Sequence, residues 1–143
     1  MTTRADRRRE SLCIAASTWL VLFAAPHAWW ALGIPNGFPG GDASYHRFMG
    51  STWRYWYDVG VVVLAVLALA LVWRLRRPRL PPPRSQRLAR WAVALGGAAL
   101  TLRGLAGLVV DGRADPIWWP AFLVGGLLLG GVAWSARDPV QVD

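Results

Sequence analysis

The chain has 143 residues, 55% of them hydrophobic, and its sixteen basic residues, all arginine, outnumber eight acids to give a net charge of +8. The length allows one domain, the high apolar content excludes a disordered chain, and the single cysteine, Cys13, excludes a disulfide scaffold. A soluble nucleic-acid-binding module fits poorly, because so apolar a chain needs long buried elements and its charge is clustered. A small multi-pass membrane protein is the class that remains.

Four stretches are long enough to cross the hydrocarbon core of a bilayer, which is about 30 Å thick and needs roughly 20 helical residues. They are residues 11–33, 56–73, 91–110 and 117–135. None carries the one-sided polar stripe of a soluble amphipathic helix. We therefore predict an all-α fold, a four-transmembrane-helix bundle in which residues 1–143 form a single integral membrane domain.

The first span has an alternative interpretation as a cleaved signal peptide, since Arg7 to Arg9 precede it. The apolar run is too long for one, however, and no small-x-small cleavage site precedes Pro26. We expect the helix to stay in the chain. Pro26 and Pro120 are each expected to kink or interrupt the outer half of a helix.

The loops differ strongly in charge. The outer loop, residues 34–55, begins with turn-forming Pro and Gly, and Asp42 is expected to cap a short helix that runs through Phe48. The central loop, residues 74–90, holds seven arginines around Pro81 to Pro83. These arginines are either determinants of topology on a stiff polyproline connector or a binding surface for anionic lipid, nucleic acid or an acidic partner.

Charge predicts the orientation. Four spans place both termini and residues 74–90 on one side, which carries twelve arginines and four acids, while the other side sums to zero. The positive-inside rule therefore predicts that both termini are cytoplasmic, in a bacterial inner membrane. Interfacial tryptophans agree with this orientation. Those predicted at the outer interface are Trp29, Trp30, Trp53, Trp56, Trp118 and Trp119, and those at the inner one are Trp73, Trp91 and Trp134.

Polar residues inside the spans predict a candidate site. Arg103 interrupts the third span at a cost of about 2.5–3.5 kcal/mol if it lies at the centre, and His27 and Asp58 enter the membrane from the same side. We hypothesise an outward-opening polar pocket. Its candidate members are His27, Trp30, Asp58, Arg103, Asp111 and Asp115.

Side-chain direction supports an alternative for these residues. Helical side chains lean toward the N-terminus of their helix, so Arg103 is expected to lean inward, away from Asp58. Arg103 would then satisfy a carbonyl freed near Pro26 or Pro120, and His27 would be hydrogen-bonded locally.

Small residues predict close contact between the third and fourth spans. We expect packing through Gly97 and Gly104 of the third and the GxxxG pair Gly126 and Gly130 of the fourth. The same pair is also compatible with a homodimer or another membrane protein partner.

The chain offers little for catalysis. Two histidines and one cysteine are too few to predict a metal site or a nucleophilic triad, no phosphate-binding loop is present, and we expect no metal and no cofactor.

The segment His27-Ala-Trp-Trp30-Ala-Leu-Gly33 resembles the His-x-x-Trp-Ala-Leu-Gly signature of a family of small bacterial membrane proteins of unknown function. The resemblance implies four spans and makes His27 and Trp30 signature positions. The family has a second Gly where this chain has Ile34.

These residues are compatible with three classes of function. The leading one is a non-catalytic accessory or lipid-associated membrane subunit, with anionic head groups at residues 74–90 and no nucleic acid as partners. The alternative is a small-molecule or lipid-head-group binding protein, or an enzyme, with a pocket around His27, Arg103 and Asp58. A transporter is disfavoured, because one deep charge and no inverted repeat give little basis for it.

Overall fold

The computed structural model describes residues 4–36, 38, 41–50, 52–77, 84–110 and 117–137. These residues form five helices, which confirms the all-α prediction. The helices are α1 (Arg4–Ala31), α2 (Gly41–Met49), α3 (Thr52–Leu75), α4 (Arg84–Val110) and α5 (Trp118–Ser135). Asp111, Asp115 and the prolines 81–83 lie outside the described residues.

Four of the helices are long and apolar enough to cross a membrane by length and composition, which suggests a membrane location. They are Arg4–Ala31, Tyr55–Leu75, Arg84–Val110 and Trp118–Ser135. Two of them start earlier than the apolar stretches do, because α1 and α4 continue into arginine-containing segments. Arginine and leucine are good helix formers, so a helix extends past the residues that hydropathy marks.

The short helix predicted in the outer loop is present, whereas the predicted effect of the two prolines differs from what the structure shows. The predicted short helix after Asp42 is present as α2, with Asp42 in its first turn. Neither proline interrupts its helix, contrary to that part of the expectation. Pro26 lies inside α1, which continues to Ala31. Pro120 is the third residue of α5, where the backbone N–H has no intrahelical partner to lose.

The chain divides into two compact units. One is Leu20–Leu67, which holds the second half of α1, all of α2 and the first part of α3. The other is Met1–Trp19 together with Ala68–Asp143, which contains α4 and α5.

In the second unit, α4 and α5 pack against each other through glycines. A Cβ atom added at Gly97 would lie 2.9 Å from the carbonyl oxygen of Gly126 and 2.9 Å from the backbone nitrogen of Gly130. One added at Gly104 would lie 2.9 Å from the carbonyl oxygen of Trp119. Higher numbers on α4 therefore face lower numbers on α5, so the two helices are antiparallel and their backbones approach closely.

Two further glycines of this unit make room for indole rings. A Cβ at Gly107 would overlap the ring of Trp119, and one at Gly125 would overlap the ring of Trp19. Trp19 is the tryptophan that the sequence places inside a span, and this contact explains how α1 and α5 accommodate it.

Three arginines of the second unit lie over tryptophan rings at helix ends. The guanidinium carbon is 4.7 Å from the ring centroid for Arg76 over Trp73 at the end of α3 and 3.5 Å for Arg137 over Trp134 at the end of α5. Near the start of α4, Arg90 lies 5.8 Å from Trp91. These distances are in the range of cation–π attraction.

Candidate functional site

His27 of α1 and Asp58 of α3 form a buried pair in the first unit. The imidazole Nδ1 lies 2.6 Å from the carboxylate Oδ1. A carboxylate oxygen accepts, so Nδ1 is the donor. His27 is 7% exposed and Asp58 is 1% exposed. The sequence predicted that both residues enter the membrane from the same side, and the structure joins them directly.

Aromatic rings surround the imidazole. Ring centroids of Phe23, Trp30 and Tyr57 lie 5.3, 5.2 and 6.1 Å from that of His27. Apolar surroundings strengthen a hydrogen bond between polar groups and make it costly to leave either group unpaired. The pair is therefore a strong link between α1 and α3 inside this unit.

The second oxygen of the Asp58 carboxylate is a buried acceptor. Within the described part of the chain, Oδ2 has no hydrogen-bond partner. Buried polar atoms are nearly always hydrogen-bonded in folded proteins, so this atom is a position where a bound polar group would be stabilised.

Trp30 is buried at the end of α1. Its exposed fraction is 4%, its indole Nε1 donates to the carbonyl of Asn36 at 3.3 Å, and its own carbonyl accepts from the Tyr45 hydroxyl at 2.9 Å. Phe38 packs edge-on against it at 5.0 Å. Trp30 thus ties the end of α1 to α2.

Gly33 ends α1 in a Schellman motif. Its φ is +89°, its N–H donates to the carbonyl of Trp30, and the N–H of Ile34 donates to the carbonyl of Trp29. Ile34 has no positive φ, so a second glycine is not needed for this turn. The three positions His27, Trp30 and Gly33 therefore have separate physical roles: a helix-to-helix hydrogen bond, a buried anchor and a helix stop.

An open groove of about 470 Å³ lies beside this segment, lined by residues that include Gly33, Tyr45, Met49 and Tyr55. The described residues that line it do not include His27 or Asp58. The buried pair is therefore closed on the side of this groove.

Arg103 belongs to the other unit. It is exposed on α4, and its guanidinium carbon lies 4.3 Å from the ring centroid of Trp119 and 5.8 Å from that of Phe122. The side chain reaches the first turn of α5, not the inward direction expected from the default lean. The candidate pocket as a whole stays a prediction: His27, Trp30 and Asp58 lie together, and Arg103 has this separate environment.

The four glycines predicted to pack helices have unequal environments. Gly97, Gly104 and Gly126 are buried against the facing helix. A Cβ at Gly130 would meet no atom of the described residues within 4 Å, although the Gly130 backbone contacts Gly97. The sequence predicted an interfacial position for Trp119 but not its contacts with Gly107 and Arg103. Gly104 and Gly107 lie three residues apart, and so on one face of α4. This spacing in the sequence could have indicated that a bulky side chain of another helix packs there.

Across the described residues, no three of the His, Cys, Asp and Glu side chains lie close enough together to hold a metal ion. Neither a protein-family model, nor a curated protein, nor a solved structure matches the chain. The geometry of the described residues therefore carries the functional argument.

Proposed function

We propose that this chain is a multi-pass protein of the bacterial inner membrane that acts as a non-catalytic accessory or lipid-associated subunit, with both termini in the cytoplasm. The observation that carries the proposal is the closed His27–Asp58 pair, 7% and 1% exposed and bonded at 2.6 Å. A buried hydrogen bond between α1 and α3 stabilises the packing of the two helices, and the groove beside it is not lined by either residue.

Exposed side chains support the lipid association. Large apolar residues stand exposed along all four long helices, among them Leu22, Leu64, Leu102 and Leu127 at 67–69%. Extended exposed apolar surfaces mark interaction sites on soluble proteins, and on membrane helices they face acyl chains.

The orientation is supported by the arginine–tryptophan pairs at the end of α3, the start of α4 and the end of α5. Antiparallel α4 and α5 put the last two pairs at the same end of the unit. Tryptophan favours the head-group level and arginine the cytoplasmic side, so this end is proposed as cytoplasmic, with anionic head groups around residues 74–90.

Cysteine labelling tests the orientation. In a Cys13→Ser background, we introduce Ala43→Cys in α2 and, separately, Ser85→Cys in α4, both at exposed positions. A membrane-impermeant maleimide is expected to label Ala43→Cys on intact cells and Ser85→Cys only after permeabilisation. The wild-type protein, whose single cysteine Cys13 is 2% exposed, serves as a separate, poorly labelled reference. The reverse pattern would contradict the proposed orientation.

Native mass spectrometry in mild detergent tests the function class. We expect the purified chain to carry phospholipid adducts or a second protein subunit, because its exposed surface is apolar and its buried polar pair is closed. A stoichiometric non-lipid small molecule on a protein free of other subunits would instead favour the pocket.

A second candidate function, binding of a small polar molecule next to His27, is favoured by one observation. The buried Asp58 Oδ2 has no partner among the described residues. If such a ligand is bound, Asp58→Asn is expected to remove its adduct from the mass spectrum while Asp42→Asn on exposed α2 retains it. Retention of the adduct in Asp58→Asn would remove this candidate.

A further inference from the structure

Arg103 is a charged side chain on an apolar exposed surface. Its neighbours Leu102 and Leu105 are 67% and 48% exposed, and Arg103 itself is exposed. An arginine that faces hydrocarbon is costly, so such residues reach the interface or pair with an anion. The described residues around it offer aromatic rings, not a carboxylate.

The rings form a fixed platform. Trp119 is 7% exposed because glycine at 104 and 107 leaves space for its backbone and ring, and Phe122 stacks on it at 6.0 Å with an interplanar angle of 24°. The guanidinium carbon lies 4.3 Å from the centroid of the Trp119 ring. A ring face attracts the positive charge but takes up few of the five N–H donors, so the other donors stay available to an anion.

The platform lies at one end of α5. This helix has 18 residues, a length of about 27 Å, which is close to the hydrocarbon thickness of a bilayer. Its first turn, with Trp118 and Trp119, must therefore lie at the boundary with the head groups. Although the Arg103 backbone is about 10 Å below the end of α4, its guanidinium reaches that boundary through contact with Trp119.

We infer that Arg103 on the Trp119 platform binds the phosphate of a phospholipid head group, with the acyl chains along the exposed Leu102 and Leu105. The planar guanidinium fork matches two phosphate oxygens, and the charges are complementary. The assignment of this lipid to the outer leaflet rests on the orientation proposed above. The binding of a phospholipid at Arg103 does not depend on that orientation.

Lipid titration with native mass spectrometry tests the inference. The full-length protein in detergent micelles is titrated with phosphatidylglycerol, and the same series is run on Arg103→Leu, Arg103→Gln and Arg103→Lys. The control is Arg47→Leu, which removes an exposed arginine from α2, outside residues 74–90. We expect the tightest binding event to weaken about tenfold in the Leu and Gln variants, the loss of one charge-assisted contact. Arg103→Lys keeps the charge but loses the planar fork and the stacking on Trp119, so its affinity should fall between those of the wild type and Arg103→Leu, and the control should match the wild type.

Two outcomes would overturn the inference. Unchanged affinity in both Arg103→Leu and Arg103→Gln would mean that the guanidinium is satisfied otherwise, for example by Asp111 or Asp115. Displacement of the lipid by equimolar inorganic phosphate would mean that a free anion is the ligand. Micelles have no leaflets, so either result is independent of the maleimide experiment on orientation.

Discussion

Replacing Asp58 by leucine is expected to lower the free energy of unfolding by about 1–3 kcal/mol, the cost of leaving a buried donor without an acceptor. The change leaves the Nδ1 donor of His27 buried among Phe23, Trp30 and Tyr57 without its acceptor. Asp58→Asn retains an acceptor oxygen of similar position and should cost less. Reversible unfolding in detergent, followed by circular dichroism, measures the difference.

A double variant separates pairing from packing. In His27→Leu with Asp58→Leu neither member of the pair is left buried without its partner, so the loss should be smaller than the sum of the two single changes. Asp42→Asn, at an exposed position of α2, controls for the loss of one carboxylate. Additive losses in the double variant would show that the 2.6 Å contact does not couple the two residues.

Replacing Gly126 by alanine is expected to destabilise the protein by about 1–3 kcal/mol, the usual cost of overpacking. The new Cβ would lie 2.7 Å from the carbonyl oxygen of Gly97 and would also overlap Thr101, so two backbones must separate. Gly130→Ala places its Cβ in open space as far as the described residues reach. The better helix propensity of alanine, about 1 kcal/mol, should make that variant neutral or more stable.

Thermal unfolding of the two alanine variants in the same detergent gives opposite signs if this packing is correct. The pair is well matched, because both positions belong to one GxxxG motif on one helix. Equal destabilisation of the two variants would mean that Gly130 also faces a neighbour, such as a second copy of the chain. Equal tolerance would contradict the close approach of α4 and α5.

The long helices were predictable because a run of about twenty apolar residues has few alternatives to a membrane helix. Their ends were less predictable. Hydropathy marks where lipid begins, whereas the helix of α4 begins at Arg84, in a segment whose residues favour helix without being apolar. Pro120 was misjudged for a related reason, since its effect depends on its distance from the start of α5, which only a known boundary gives.

At the candidate site, too, some features were predictable from the sequence and others were not. The sequence predicted that His27 and Asp58 enter from the same side of the membrane, but it does not give the rotation of each helix about its axis, and that rotation decides that the two side chains bond. Arg103 was expected to follow the default lean of helical side chains. The space left by Gly104 and Gly107 admits the Trp119 ring, and cation–π attraction then draws the guanidinium toward it.

The unequal lengths of α4 and α5 have an electrostatic consequence. At the register in which Gly97 contacts Gly130, the last residue of α5, Ser135, is level with α4 close to Trp91, so residues 84–90 extend about 10 Å further. This is about one Debye length in physiological salt. In the proposed orientation, the attraction of Arg84 to anionic lipid of the inner leaflet therefore depends more strongly on the ionic strength of the cytoplasm than that of Arg90 does.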